Sequence, residues 1–410
     1  MEDKSTSTGV VAITATGKDK PGLIAEMTEA IAHANGNIVD IDTFSIRGLF
    51  AIFMIVDCRA MVTPFEELRS QLMDIGDRIG LTVDLRPWVP GRRRGEKKLV
   101  LLTTIGKDRP GIVAKVSRFL HKSNVNIERI RMIAHGELNC MEIHADASEI
   151  STGFLDFRSG FKDVCREVGQ DVVVQMEDSF HRPKKLVVFD VDSTLIDVEV
   201  IDKLAEAAGV SEEVKEITEQ AMNGEIDFKQ ALRKRAKSLK GLSVEVLEGI
   251  ADNLKVTPGA RELITALKAL GYKTALISGG FTYFVDRIGK SLGIDYVYAN
   301  KLLIHEGRLT GEVEEPIIDD RRKGELVRHI AEKENLLMEE VVAVGDGAND
   351  RFMLKDSGLG IAVNPKDILK SVADGVIKKE NIIGILYCVG APGKKLKEFF
   401  NKNYVAEEEP

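Results

Sequence analysis

KKLVVFDVDSTLID, residues 184–197, is the stretch from which the rest of the chain is read. Four apolar residues, Leu186 to Phe189, run straight into Asp190, and Asp192, Ser193 and Thr194 follow at once. Branched and aromatic residues in a short run bounded by polar ones spell a buried strand. Two carboxylates at the end of a buried strand are costly without a partner, and a divalent cation removes that cost. Asp190 is therefore the candidate nucleophile for attack on phosphorus. The attack brings two anions together, so it needs a cation and fixed donors to neutralise the phosphate. Asp190 would become a phospho-aspartate, and Asp192 could protonate the leaving oxygen and then activate water. A strand-ending DxD on its own also fits a purely structural cation site.

Three segments downstream repeat the pattern of a strand with polar residues at its end. KTALISGGF, residues 273–281, reads as a buried strand reaching Ser278. The Ser278 hydroxyl and the Gly279 amide could hold phosphate oxygens, although Ser278 as a helix N-cap fits the same letters. DDRRKG, residues 319–324, leads into an amphipathic helix over 323–334. One cation there could neutralise phosphate and Asp190, and spacing does not choose among Arg321, Arg322 and Lys323. VVAVGDGAND, residues 341–350, is a strand, a glycine turn and two carboxylates four apart. Asp346 and Asp350 suit a single divalent cation, and glycine on both sides of Asp346 implies close backbone approach. With helices at 259–270, 282–292 and 323–334, strands alternate with helices as parallel α/β units require. The carboxyl edge of that sheet carries the site.

An internal repeat lies upstream. GKDKPG at 17–22 recurs as GKDRPG at 106–111, an offset of 89 that also carries Asn35 to Asn124 and Asn37-Ile38 to Asn126-Ile127. Each copy reads strand, helix, two strands, helix, strand, with helices at 23–34 and 64–79, then 112–123 and 153–168. That is the ferredoxin-like arrangement. Glycines followed by a helix N-terminus suit a carboxylate ligand, whereas Pro-Gly also serves simply to start a helix. Linkers are expected at 88–98 and 179–185.

Between the first and second motifs, residues 199–257 carry helical periodicity at 201–208, 211–222, 228–239 and 244–253. Ser211-Glu212-Glu213 and Ser243-Val244-Glu245 look like capped starts. Such an insertion forms a helical cap that excludes water until substrate is bound. Residues 386–410 read as a peripheral helix and a frayed acidic end. A chain of 410 residues exceeds the roughly 100–200 of one domain. A net charge of −8 argues against a nucleic-acid binder, so Arg92, Arg93 and Arg94 read as a solvated linker. No apolar run is long enough for a membrane span, and the N-terminus lacks the apolar core of a signal peptide. Four scattered cysteines suit the reducing cytoplasm.

The repeats, about 8–90 and 97–177, resemble ACT domains, small modules that bind amino acids and regulate metabolic enzymes. The resemblance implies a ligand near Asp19, Gly22 and Asn37, and near Asp108, Gly111 and Asn126, and a homodimer. The four motifs, in order over 184–385 (cap about 199–257), resemble the haloacid dehalogenase superfamily. Asp192 resembles its phosphatases; dehalogenases lack this Asp, since a halide leaving group needs no acid. Glu199, AMNG at 221–224, Phe228 and LRKR at 232–235 resemble the phosphoserine phosphatase family in an almost gapless pattern.

That resemblance implies Glu199 on the substrate ammonium, Arg235 on its carboxylate, and Met222 and Phe228 lining the pocket. An α-amino acid needs an anion and a bidentate arginine, although Arg233 competes with Arg235 on spacing. Ser278, Gly279, Lys323 and Asn349 are implied to hold phosphate. Mg²⁺ is implied on Asp190, the Asp192 main-chain carbonyl, Asp346 and, through water, Asp350. The expected architecture is α/β: a Rossmann-like parallel sheet with a helical cap, preceded by two ferredoxin-like βαββαβ domains. The expected activity is Mg²⁺-dependent hydrolysis of O-phospho-L-serine, the last step of L-serine biosynthesis, in the cytoplasm, with serine acting back through the ACT domains. Rival readings are turnover of another small phosphate such as phosphohomoserine, phosphate transfer to an alcohol, or an amino-acid sensor with a vestigial phosphatase module. The complete motif set argues against the last.

Overall fold

The computed structural model describes residues 9–89, 97–134, 138–176, 183–365 and 367–390. The expected linker cores, residues 135–137 and residues 391–410, where a helix and tail are expected, lie outside the described residues, as does the Met222 side chain. The chain forms two units, Met1–Gly95 and Glu96–Pro410.

In the first unit the order is β1 (Val10–Lys18), α1 (Leu23–His33), β2 (Asn37–Ile46), β3 (Leu49–Asp57), α2 (Phe65–Ile79) and β4 (Leu81–Pro87). The strands form an antiparallel sheet in the order β2-β3-β1-β4. Side chains alternate across a strand. In β3, Phe50, Ile52, Met54 and Val56 face the core with Met27, Ile31, Leu68 and Leu72 of the helices, while Leu49 and Phe53 stay exposed.

The second repeat runs β5 (Leu99–Gly106), α3 (Ile112–Lys122), β6 (Asn126–Ala134), β7 (Asn139–Asp146), α4 (Phe154–Glu167) and β8 (Gln170–Met176). The 89-residue offset reaches atomic detail. Gly22 and Gly111 open α1 and α3 at φ 96° and 93°, a left-handed conformation that a side chain would strain. Asn35 and Asn124 also have positive φ, and their amides donate to Ala60 O and Glu149 O, each at 2.7 Å.

The rest of the chain follows: β9 (Leu186–Phe189), cap helices α5 (Val200–Ala208), α6 (Ser211–Met222), α7 (Phe228–Ser238) and α8 (Val244–Asn253), then α9 (Ala260–Ala269), β10 (Lys273–Phe281), α10 (Thr282–Leu292) and β11 (Tyr296–Asn300). A hairpin comes next, β12 (Leu302–His305) and β13 (Arg308–Val313), then α11 (Asp320–Lys333), β14 (Val341–Gly345), α12 (Arg351–Asp356), β15 (Leu359–Val363), α13 (Asp367–Lys370), β16 (Gly375–Ile377) and α14 (Ile385–Cys388). Strand β9 is central, paired in parallel with β10 and β14. All four of its residues are buried, and burial on both faces explains its unbroken apolar run.

The second repeat differs from the first in what its sheet joins. Strand β8 pairs antiparallel with β16, Gly375 opposite Val173 and Val376 opposite Val172. The two sheets thereby fuse into one of ten strands, β11-β10-β9-β14-β15-β16-β8-β5-β7-β6. Ile105, Cys140 and Val173 share a core with Ile382, Ile385, Leu386 and Cys388. The expected division between 177 and 184 is therefore no break in packing, and a boundary at 385/386 cuts a buried helix.

Other expectations need correcting. The β12–β13 hairpin was not foreseen. Ser211 is already inside α6, whose N-cap is Val210, and Ser243 makes no side-chain capping bond to α8. The capping box is instead Asp227 with Gln230 at α7: Asp227 Oδ1 accepts from Gln230 N at 2.7 Å, and Gln230 Oε1 accepts from Asp227 N at 3.2 Å. All four cysteines are free thiols. Among the described residues, no helix is long and apolar enough to cross a membrane.

Candidate active site

Strand pairing carries Asp190 to the carboxyl edge, where its N–H still donates to Val344 O at 2.8 Å. Ser193 then takes φ 56°, a strained value for a residue with a side chain, and the chain turns sharply. The turn brings Asp192 back to the site. Its Oδ1 accepts from Val200 N at 3.1 Å and its Oδ2 from the Ser278 hydroxyl at 3.2 Å. The Thr194 hydroxyl donates to Asp346 Oδ1 at 3.2 Å.

Lys323 is fully buried and donates to Asp190 Oδ1 at 2.8 Å and Asp350 Oδ1 at 2.7 Å. Helix phase makes this choice. Asp319 caps α11 by accepting from Arg322 N at 2.8 Å. Lys323, Gly324, Val327, Ile330 and Ala331 then share the buried face, while Arg322 pairs with Glu325 at the surface and Arg321 is exposed. On the fourth strand end, Asp350 Oδ2 accepts from the N–H groups of Asp346 and Gly347, both at 3.1 Å. A Cβ on Gly345 would lie 2.3 Å from that oxygen, so the glycine is required sterically.

Carboxylate oxygens of Asp190, Asp346 and Asp350 lie within 4.8 Å of one another, against one lysine. Burial, reinforced by Asp350, holds Asp190 well above the usual carboxylate range, with Lys323 opposing the shift. Burial, then Asp350 and Glu199, pushes Asp346 up to about 7. Burial, then Glu199, pushes Asp192 up to about 6. Burial works against the charge on Lys323, but Asp190 and Asp350 more than offset it and hold its pKa above the usual lysine value. A buried all-oxygen donor set with uncompensated negative charge fits a hard divalent cation such as Mg²⁺.

Ser278 is not the N-cap, because β10 continues to Phe281, which fills that position. The Ser278 hydroxyl oxygen accepts from Gly280 N at 2.8 Å. Gly279 O accepts from the Asn300 amide at 2.9 Å, and Asn300 Oδ1 accepts from Ile318 N at 2.7 Å. Asn300, nearly fully buried, thus holds the turn; its only sequence signal is a polar residue ending a strand. Asn349 approaches the same turn, its amide nitrogen 3.8 Å from where a Gly279 Cβ would lie.

The cap reaches this edge through α7. The Phe228 ring comes within 3.1 Å of the same Gly279 position. Lys229 pairs with Asp319 at 2.9 Å, and Arg233, one turn on, pairs with Glu315 and is half exposed. Arg235 lies off that outward stripe, and its Nε is buried without a hydrogen-bond partner. Burial lowers its pKa, with Glu199 and Asp202 opposing. Glu199 accepts from the Ser193 hydroxyl at 2.8 Å and acts electrostatically on Arg235, Asp192 and Asp346.

The second repeat holds a separate cavity of about 520 Å³, lined by Asp108, Arg109, Gly111, Met132, Asn139 and Gln170 among others. Asn126 is not part of it: it starts β6, whereas Met132 lies near the other end, and its amide donates to Glu128 at 2.8 Å. Asn37 likewise starts β2 opposite Asp57, while Asp19 follows the far end of β1 and donates its N–H to Gly48 O at 2.9 Å. The reason is that α1 and α3 carry the chain back along the sheet, away from the loop that starts them.

Residues 184–358 match the haloacid dehalogenase-like hydrolase family, and residues 10–86 and 98–142 match the ACT domain. The phosphoserine phosphatase of Archaeoglobus fulgidus is 43% identical over 350 residues, 85% of this chain and 100% of that one. Phosphoserine phosphatase SerB2 of Mycobacterium tuberculosis is 34% identical over 93% of each chain. Among solved structures, a haloacid dehalogenase family hydrolase from Salmonella enterica serovar Typhi aligns with a TM-score of 0.64 at 26% identity, over 71% of this chain and 98% of that one. The unliganded probable phosphoserine phosphatase from Vibrio cholerae aligns with a TM-score of 0.58 at 30% identity, over 73% and 88%.

Proposed function

From the premise that the chain belongs to the phosphoserine phosphatase family of haloacid dehalogenase-like hydrolases, with two ACT domains ahead of the catalytic part, we propose that it hydrolyses O-phospho-L-serine to L-serine and phosphate. The observation that carries the substrate is Arg235 Nε, buried with no partner and electrostatically coupled to Glu199. An orphaned guanidinium donor is costly unless a ligand satisfies it. A substrate with both a carboxylate and an ammonium suits Arg235 and Glu199 together. Phe228, against Gly279, covers the apolar part of such a substrate, and Met222 is assigned beside it from the family pattern alone.

In this mechanism a carboxylate oxygen of Asp190 bonds to phosphorus as the bond from phosphorus to the serine oxygen breaks. Asp192, with its pKa raised by burial to about 6, gives its proton to the departing oxygen. Asp192 then takes a proton from water, the water oxygen bonds to phosphorus, and the bond to Asp190 breaks. Lys323, the Ser278 hydroxyl, the Gly279 N–H and Asn349 hold the phosphoryl oxygens. Asp190, Asp346 and the Asp192 carbonyl, with Asp350 through a water, would hold Mg²⁺, which when bound supplies charge neutralisation for the phosphate. The setting is the last step of serine biosynthesis in the cytoplasm. The cavity at the GKDRPG loop suits L-serine as a feedback ligand, and a homodimer is the expected assembly for ACT modules.

The test is Mg²⁺-dependent phosphate release from phosphoserine, phosphohomoserine and p-nitrophenyl phosphate, with and without added serine. Arg235→Ala is expected to lower kcat/KM for phosphoserine by roughly 10- to 100-fold, from a lost charged hydrogen bond of about 1.5–3 kcal/mol. Turnover of p-nitrophenyl phosphate, which has no carboxylate, should change little. Equal losses on both would remove the amino-acid reading.

A further inference from the structure

The cap is spliced into the catalytic part at two crossings, and these crossings touch. Ile196 on the outgoing chain forms an antiparallel bridge with Val256 on the returning one. Thr257 N donates to Leu195 O at 2.8 Å, and the Thr257 hydroxyl donates to Thr194 O at 2.9 Å. These few residues tie the two crossings together close to Asp190. A third segment reaches them. The Lys379 ammonium donates to Asp197 Oδ1 at 2.8 Å and to Ile196 O at 3.3 Å. Its side chain is only 18% exposed, so the outgoing crossing is gripped at its backbone as well as at a carboxylate.

Lys379 opens a 3₁₀ turn, Lys379–Gly384, that is anchored on the second ACT domain. Asp171 of β8, nearly buried, accepts with one oxygen from Lys378 N at 2.8 Å and from the Asn381 amide at 2.7 Å. The anchor thus holds the residues on both sides of Lys379. Further along the turn, a Cβ on Gly384 would lie 2.8 Å from Ile105, so the contact is close. Neighbouring residues of a strand face opposite ways. Gln170, beside Asp171, lines the 520 Å³ cavity and donates to Lys107 O in the GKDRPG loop at 2.9 Å. One strand end therefore carries both a cavity-lining residue and the anchor of the hinge lysine.

We infer that Lys379 is a positioning residue for the cap hinge and that Asp171 of the second ACT domain sets it in place. The inference rests on the reading that the cap closes over an amino-acid phosphate. It makes the second ACT domain part of the closing machinery as well as a packing partner. The hinge lysine matters most for a substrate that the cap must grasp, and least for an aryl phosphate that offers it no ammonium or carboxylate.

The experiment uses the full chain and its Lys379→Met, Lys379→Arg and Asp171→Asn variants. It measures kcat and KM on phosphoserine and p-nitrophenyl phosphate, together with hydrogen exchange of the amides at 195–198 and 256–257. Lys379→Met is expected to lose about tenfold in kcat/KM for phosphoserine, about 1.4 kcal/mol. It should change less than about twofold on p-nitrophenyl phosphate, with faster exchange at the hinge; Lys379→Arg should restore most of the loss. Asp171→Asn should speed the same hinge amides. Wild-type kinetics and exchange in Lys379→Met, or equal losses on both substrates, would overturn the inference. If the wild-type chain ignores phosphoserine but cleaves the aryl phosphate, the substrate reading fails, and unchanged hinge exchange in the variants would still refute the role of Lys379.

Discussion

Asp190 carries the two demands of the site against each other. In the proposed mechanism its carboxylate must be anionic to attack phosphorus, yet burial and Asp350 both resist that charge. Lys323 opposes that resistance, and the proposed cation would add to that opposition. Removing the charge should therefore remove a cost from the metal-free fold while ending the chemistry. Asp190→Asn is expected to abolish turnover, and differential scanning calorimetry without metal should give a thermal midpoint no lower than wild type. Activity above about a tenth of wild type, a loss of only about 1.4 kcal/mol, would contradict the nucleophile. This residue was legible in the sequence because a polar pair interrupting an apolar strand is a local signal. Asn300 was not, since its role in holding Gly279 depends on strand β11 lying beside β10.

At the scale of elements, helix phase decided two ambiguities that spacing left open. Both α7 and α11 present a run of cations, and in each a carboxylate N-cap precedes the run: Asp227 in one, Asp319 in the other. The cap sets where the helix starts, and packing sets which face is buried. The buried stripe then selects Lys323 in one, and in the other leaves Arg235 off the outward stripe that holds Arg233. Ser211 and Ser243 misled the reading because serine followed by glutamate resembles a capping box without showing where helical backbone begins. Loss of the true box should loosen α7 locally. Asp227→Ala is expected to cost about 0.5–2 kcal/mol, visible as faster amide exchange in α7 with α11 unchanged.

Within the unit Glu96–Pro410, the fused sheet places a titratable group in the joint. Lys162 of α4 donates to Ala373 O at 2.8 Å and Lys370 O at 3.3 Å, beside an Arg158–Asp374 pair at 3.1 Å. Burial, then Arg158, lowers the Lys162 pKa to about 8. Between that value and the ordinary lysine value near 10.5 the unfolded chain holds a proton that the folded chain has released, so stability rises with pH. Urea unfolding should show wild type gaining on Lys162→Met from pH 8 to 10, by at most about 1.4 kcal/mol per unit; a flat difference would contradict the burial. The sequence by itself determined the α/β order, the two ferredoxin-like repeats, the helical cap and the four strand ends, because apolar periodicity, turns and motif order are properties of neighbouring residues. Only the tertiary structure decided that Lys323 bonds both Asp190 and Asp350, that it is the Arg235 Nε that is buried, and that β8 joins β16. The partners concerned are far apart in the chain, 133 residues for Lys323 and Asp190 and 207 for Lys378 and Asp171. Contacts at such separations follow from how helices and sheets pack, which no local pattern encodes.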